Sequence, residues 1–166
     1  MTKSFVIVCF LFATASIQAA DSSVEEKVKS IRAHYSEIES SLKRLTQVKR
    51  EVLDESTEGG ELIGYIKDSS LRKIRATVYG EMGKTLKEYY FWDNQLIFVL
   101  RITSRYNKPL SGVVKTKTEE RFYFADGSLI RWLGAQAKDM TASAEKPGRE
   151  RDLLADAKKY STMVSP

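Results

Sequence analysis

Glycoside hydrolysis needs only two carboxyl groups at a set separation. Three glutamates of this chain stand where such chemistry would be sought. Glu88 and Glu120 fall in runs that read as strands, and Glu81 falls at a turn. Tyr90, Trp92 and Trp132 lie near them in sequence, with faces on which a sugar ring can stack. Against that, strand carboxylates commonly face Lys or Arg on a neighbouring strand. The single histidine, His34, would have to serve as base for a nucleophile. Ser30 lies one turn away, but side chains along one helix build no oxyanion hole. One histidine and one cysteine, Cys9, also fall short of the ligand set that zinc requires. There is no phosphate loop, dinucleotide fingerprint or calcium loop. The expectation is a protein that is not an enzyme and takes no cofactor or metal.

The aromatic residues point to binding instead. Tyr89, Tyr90, Phe91, Trp92, Phe98, Phe122, Tyr123 and Trp132 fall on four neighbouring strands. Strand alternation turns roughly half of such side chains to each face. A sheet face of Tyr, Trp and Arg has the composition of an interface core. Trp92, Arg101, Arg131 and Trp132 are the binding residues this reading selects, for a protein or a cell-envelope component. One alternative is an apolar ligand held between sheet and helices, since Leu96 to Leu100 is apolar on both faces. Another is inhibition of an envelope or host hydrolase through the loop Arg105 to Gly112. Nucleic acid is not expected. Arg72, Lys73 and Arg75 read as solvated strand positions, and the two signs of charge are interspersed at a formal net charge of +5.

The elements that must carry these residues announce themselves by repetition. Tyr65-Ile66-Lys67-Asp68-Ser69-Ser70-Leu71, Tyr90-Phe91-Trp92-Asp93-Asn94-Gln95-Leu96 and Tyr123-Phe124-Ala125-Asp126-Gly127-Ser128-Leu129 share one pattern. Each reads as a strand, a tight turn and a second strand, because Asp, Asn and Gly tolerate the positive φ that such turns require. Three hairpins in series predict a six-stranded antiparallel meander. Its strands run over 61–66, 71–79, 85–92, 95–104, 113–124 and 128–133. Before it, Val24, Val28, Ile31, Tyr35, Ile38, Leu42, Leu45 and Val52 form a stripe of mostly helical spacing, capped by Ser22 or Ser23. After it, Pro147 to Tyr160 reads as a shorter helix with Pro in its first turn. The fold class expected is α+β, with the long helix packed on one face of the sheet.

Residues 1–20 have the layout of a secretory signal peptide. Lys3 precedes an apolar run from Phe5 to Ala13, and small residues follow to Ala20. That run is shorter than the roughly 20 apolar residues needed to span a bilayer. Cys9 lies inside it, so the mature chain, residues 21–166, has no disulfide, thiolate nucleophile or cysteine metal site. The mature chain is one domain in size, and a periplasmic or secreted location follows. Both outer strands of the meander offer pairing edges, so a monomer or a dimer is expected.

The Tyr-x-x-x-Gly-x-Leu spacing of Tyr123 to Leu129 resembles the YD-type repeats of bacterial cell-surface and toxin proteins. The chain departs from that pattern by placing Ile66, Phe91 or Phe124 where those repeats carry Asp. The layout as a whole resembles small exported bacterial proteins in which a helix precedes a β-meander. The resemblance implies the fold and export, and no activity.

Overall fold

A computed structural model describes residues 14–53 and 55–165, with side chains from Ser22 onward. The leader expected over residues 1–20 lies outside the described residues as far as Ala13. The chain forms one helix, a seven-stranded antiparallel sheet and a second helix. Helix α1 spans Thr14–Ser41 and is followed by a 3-10 turn, Leu42–Arg44. The strands are β1 (Thr46–Val52), β2 (Gly60–Lys67), β3 (Ser70–Gly80), β4 (Gly83–Trp92), β5 (Gln95–Tyr106), β6 (Val114–Ala125) and β7 (Ser128–Leu133). Helix α2 spans Lys146–Val164. Each strand pairs only with its neighbours in sequence, so the sheet is a pure meander.

Two expectations are corrected. The sheet has seven strands, not six, because residues 46–52 form β1 rather than the end of α1. Ser22 and Ser23 lie inside α1 and do not cap its start. The three hairpins form as their residues require. Asp68 and Ser69, Asp93 and Asn94, and Asp126 and Gly127 all have positive φ at both central turn positions. That is the signature of the turn whose twist matches paired strands.

The repeat encodes more than a turn. In β5, Phe98 opposes Tyr90 and Leu96 opposes Phe91, leaving Ile97 as an extra residue. Arg72 in β3 and Ile130 in β7 are extra in the same way, beside Tyr65 and Tyr123. Each hairpin thus carries a β-bulge at the same place, which bends the strand and raises its twist. The three tyrosines then fall in one transverse row, Tyr65, Lys73, Tyr90, Phe98, Tyr123 and Arg131, each opposite the next across the sheet.

Helix α1 lies on that row. Val28, Ile31 and Ile38 are buried against Tyr90, Phe98 and Tyr123. Helix α2 covers the opposite face, where Leu153, Ala157, Tyr160 and Val164 pack on a core that includes Ile74, Tyr89, Val99, Phe122 and Trp132. Their spacing of four, three and four makes one helical stripe. The sheet is therefore sandwiched between two helices. The last turn of α2 fits only because β2 carries a glycine. A Cβ added to Gly64 would lie 2.7 Å from Val164 Cβ. Gly64→Ala is therefore expected to displace the end of α2 and to cost about 1–3 kcal/mol, the usual range for overpacking. Urea unfolding checks this, and a loss near zero would mean that α2 is not seated there.

Candidate functional site

The four residues selected from the sequence lie on two faces. Arg131 sits in the tyrosine row under α1 and pairs with Glu25 of that helix. Trp92 is on the same side, half-buried, with the His34 ring stacked 4.0 Å away and the Arg72 guanidinium 4.8 Å from its ring centre. Trp132 and Arg101 are on the α2 side. Trp132 is only 2 % exposed, stacks on Phe122 and donates from its ring N–H to Glu120 at 3.3 Å. Arg101 lies beside the same Glu120 at 3.5 Å, aligned for charge attraction but not for a hydrogen bond. No single aromatic and basic face joins the four. Nor do Glu88 and Glu120 converge, for Glu88 belongs to the α1 side and Glu120 to the α2 side.

Glu88 belongs to a buried ionic cluster instead. Lys73 is wholly buried, yet it was selected as a solvated position. Its ammonium lies 2.9 Å from Glu88 and 2.6 Å from Glu39 on α1. Arg75 donates to Glu88 at 2.9 Å from the neighbouring strand position. The Tyr90 hydroxyl sits between Glu39 (2.9 Å) and Glu88 (3.0 Å), one proton facing two acceptors. Burial alone pushes the Glu88 carboxyl up, but Lys73 and Arg75 together outweigh it and hold the group below its ordinary value. Burial and the two carboxylates push the Tyr90 hydroxyl far up, so it remains a donor. Lys73, Glu88 and Tyr90 are all closed to solvent. The cluster has the groups of an acid–base site, and Glu39 and Arg75 at its margin are the members open to solvent. What it does is pin α1 across β3 and β4.

The accessible chemistry lies at the end of the sheet opposite the three tight turns. Among the described residues, the large apolar side chains that are 41–76 % exposed are Leu53, Tyr79, Met82, Leu110, Val113 and Val114. All six sit at that one end, four on the connections and two, Tyr79 and Val114, on the adjoining strand residues. Five of them lie on or beside the β3–β4 and β5–β6 connections, which are laced together. Leu110 N–H donates to Glu81 O and Tyr106 N–H to Met82 O, both at 2.8 Å. Around them Lys84, Arg105, Lys108, Lys115 and Lys117 are exposed, and none takes part in an ion pair with a described residue. The sequence singled out part of this surface, the loop Arg105 to Gly112. Tyr79 and Met82 were missed, because a turn such as Gly80 to Gly83 gives no sign of its neighbour.

Two clefts sit nearer the helices. A groove of about 220 Å³ between α1 and the sheet is lined by Ile31, Tyr35, Phe98, Leu100 and Tyr123, with Arg32 and Arg121 at its sides. A polar cleft of about 320 Å³ beside α2 holds Lys87, Arg101, Arg149, Asp152 and Asp156. There Lys87 pairs with Asp156 at 2.5 Å, and Tyr89 donates to the same carboxylate at 3.1 Å. Among the described residues, no group of three or more His, Cys, Asp and Glu side chains could hold a metal ion, and no helix is long and apolar enough to cross a membrane. Comparison of the chain with protein-family models, with curated proteins and with solved structures gives no match.

Proposed function

We propose that this chain is an exported, non-enzymatic recognition protein, and that it contacts a protein or a cell-envelope component through the apolar and cationic end of its sheet. The observation that carries the reading is that, among the described residues, the exposed large apolar side chains are confined to that end, beside four lysines and Arg105 that make no ion pair with a described residue. Exposed apolar side chains gathered in one place, with polar residues around them, mark an interaction site more often than scattered ones do. The two helices spend their apolar stripes on the sheet faces, which leaves the sheet's end as the surface with unspent apolar area. Residues 1–20 supply the reason for export, and a periplasmic or secreted location goes with it. Photo-crosslinking in the native compartment tests the reading. A crosslinker at Leu110 is expected to trap a partner, and one at Asn94 at the opposite end is not. Equal capture at both positions, or none at either, would remove this end as the contact surface.

One observation favours a second reading, a carrier of an apolar ligand. The groove under α1 is mostly apolar with arginines beside it. Its volume is below the roughly 300 Å³ of an ordinary small-molecule site, so only a small ligand or one arm of a larger one fits. Native mass spectrometry of the protein from its compartment is expected to show no bound small molecule. A persistent adduct would favour the carrier.

A further inference from the structure

We propose that the partner at the end of the sheet is the surface of an anionic phospholipid bilayer. The inference rests on the recognition reading above and names its partner. Three features of the end favour a lipid surface over a folded protein. First, Met82, Leu110 and Val113 stand on neighbouring connections beyond the last ladder pairs, Gly80 with Gly83 and Tyr106 with Val114, and Tyr79 and Val114 flank them at the strand ends. Side chains on such tips can enter the headgroup boundary without a shaped counterpart, whereas a protein interface core must match them in shape.

Second, cations outnumber acids around five of the apolar groups, those on and beside the β3–β4 and β5–β6 connections, whereas the β1–β2 connection that carries Leu53 is acidic, with Glu55 and Glu58. Lys84, Arg105, Lys108, Lys115 and Lys117 accompany Tyr79, Met82, Leu110, Val113 and Val114 on β3 to β6, and Glu81 is the acidic residue of those connections. Long basic side chains lay their stems along apolar surface and hold their charge at the phosphate level. Each contributes to attraction by an anionic leaflet. A shallow cleft of about 280 Å³, bounded by Tyr79 and Met82 on one part and by Lys84 and Arg105 on another, pairs an apolar with a cationic rim as a phospholipid headgroup requires. Third, part of the backbone of these connections is already paired within them. Leu110 and Tyr106 N–H donate to Glu81 and Met82, and Asn107 N–H donates to Val113 O at 3.0 Å. The side chains offered to a partner there are mainly apolar and cationic.

Vesicle co-sedimentation of the full chain tests the proposal, with phosphatidylglycerol against phosphatidylcholine vesicles at low and high salt. Binding is expected to phosphatidylglycerol, at least tenfold weaker to phosphatidylcholine, and weakened by salt. Lys108→Glu with Lys115→Glu is expected to weaken it by well over tenfold, since each surface cation is worth about fivefold. Met82→Ser with Leu110→Ser should weaken it in low and high salt alike. All four positions are exposed, so unchanged circular dichroism is expected and separates lost binding from lost fold. Equal binding to both lipids, or variants that bind like the parent, would overturn the proposal. No vesicle binding together with a protein crosslinked at Leu110 would also overturn it while the recognition reading stands. No vesicle binding and no crosslink would remove both.

Discussion

Replacing Glu88 by Gln is expected to lower the unfolding free energy by about 3–5 kcal/mol, the range for breaking a buried ion pair from one side. Gln keeps the shape and removes the charge. It leaves the Lys73 ammonium, at zero exposure, with Glu39 as its one carboxylate. Arg75 is the lesser loss, because its side chain is 41 % exposed and water can replace the carboxylate. Lys73→Met with Glu88→Leu removes both buried charges, and Glu39 and Arg75 are exposed enough to be solvated. That double variant is therefore expected to be more stable than Glu88→Gln alone. The same cluster sets an acid limit. The folded-state carboxyl of Glu88 is held below its unfolded value, so its contribution is complete above the ordinary Glu range, about pH 4.3, and is lost as pH falls through the lower folded value. Glu88→Gln should flatten the fall of stability on acidification. Urea titrations across acid pH measure both effects. A loss under about 1 kcal/mol, or an acid slope identical to the parent's, would mean that the pair is not closed to water.

The hairpins were legible because their information is local. Asp-Ser, Asp-Asn and Asp-Gly set the turns within two residues, and the flanking apolar runs set the strands. The strand β1 was hidden for the opposite reason. Val52 follows Leu45 by about two helical turns and continues the helical stripe, and the Lys, Arg and Glu before it read as a solvated helix face. They are the charges of an edge strand, which discourage pairing with another chain. Among the residues that end α1, the sequence signal is Ser40 and Ser41. Their hydroxyls donate to Glu37 O and Ile38 O inside the last turn, each at 2.8 Å. Serine competing for its own helix carbonyls is weak punctuation beside a glycine or proline. The burial of Lys73 was illegible because its partners are distant in the chain. Glu39 is 34 residues away, and nothing local distinguishes Lys73 from a solvated strand lysine.

For the binding residues, alternation could say that Trp92 and Trp132 sit on a sheet, but not that each face would be taken by a helix. That depends on α2, whose stripe closes over the second face, and on Gly64, which lets its last turn approach. The same closure explains why the end of the sheet is the accessible apolar surface. Helix α2 meets the β1–β2 connection, where Tyr160 donates to Glu55 at 2.6 Å, while Met82, Leu110 and Val113 on the other two connections stay exposed. The Lys, Val and Leu residues there look like ordinary loop composition until two hairpins bring them together.

Trp132→Ala should therefore be a stability variant and Trp92→Ala a much milder one. Trp132 is buried among Phe122, the Arg149 guanidinium 5.5 Å from its ring, and the carboxylate of Glu120. Truncation opens a cavity in the α2-side core and leaves Glu120 without its indole donor. Large-to-small changes of that kind cost about 3–5 kcal/mol. Trp92 is half-buried at the last pair of the second hairpin, against His34 and Arg72. Its loss frees two polar neighbours that water can serve, so about 1–2 kcal/mol is expected. Equilibrium unfolding of the two variants reads the difference directly. If Trp132→Ala kept full stability and lost partner binding instead, the α2-side face would be an interface. The end of the sheet would then no longer be the surface that recognises.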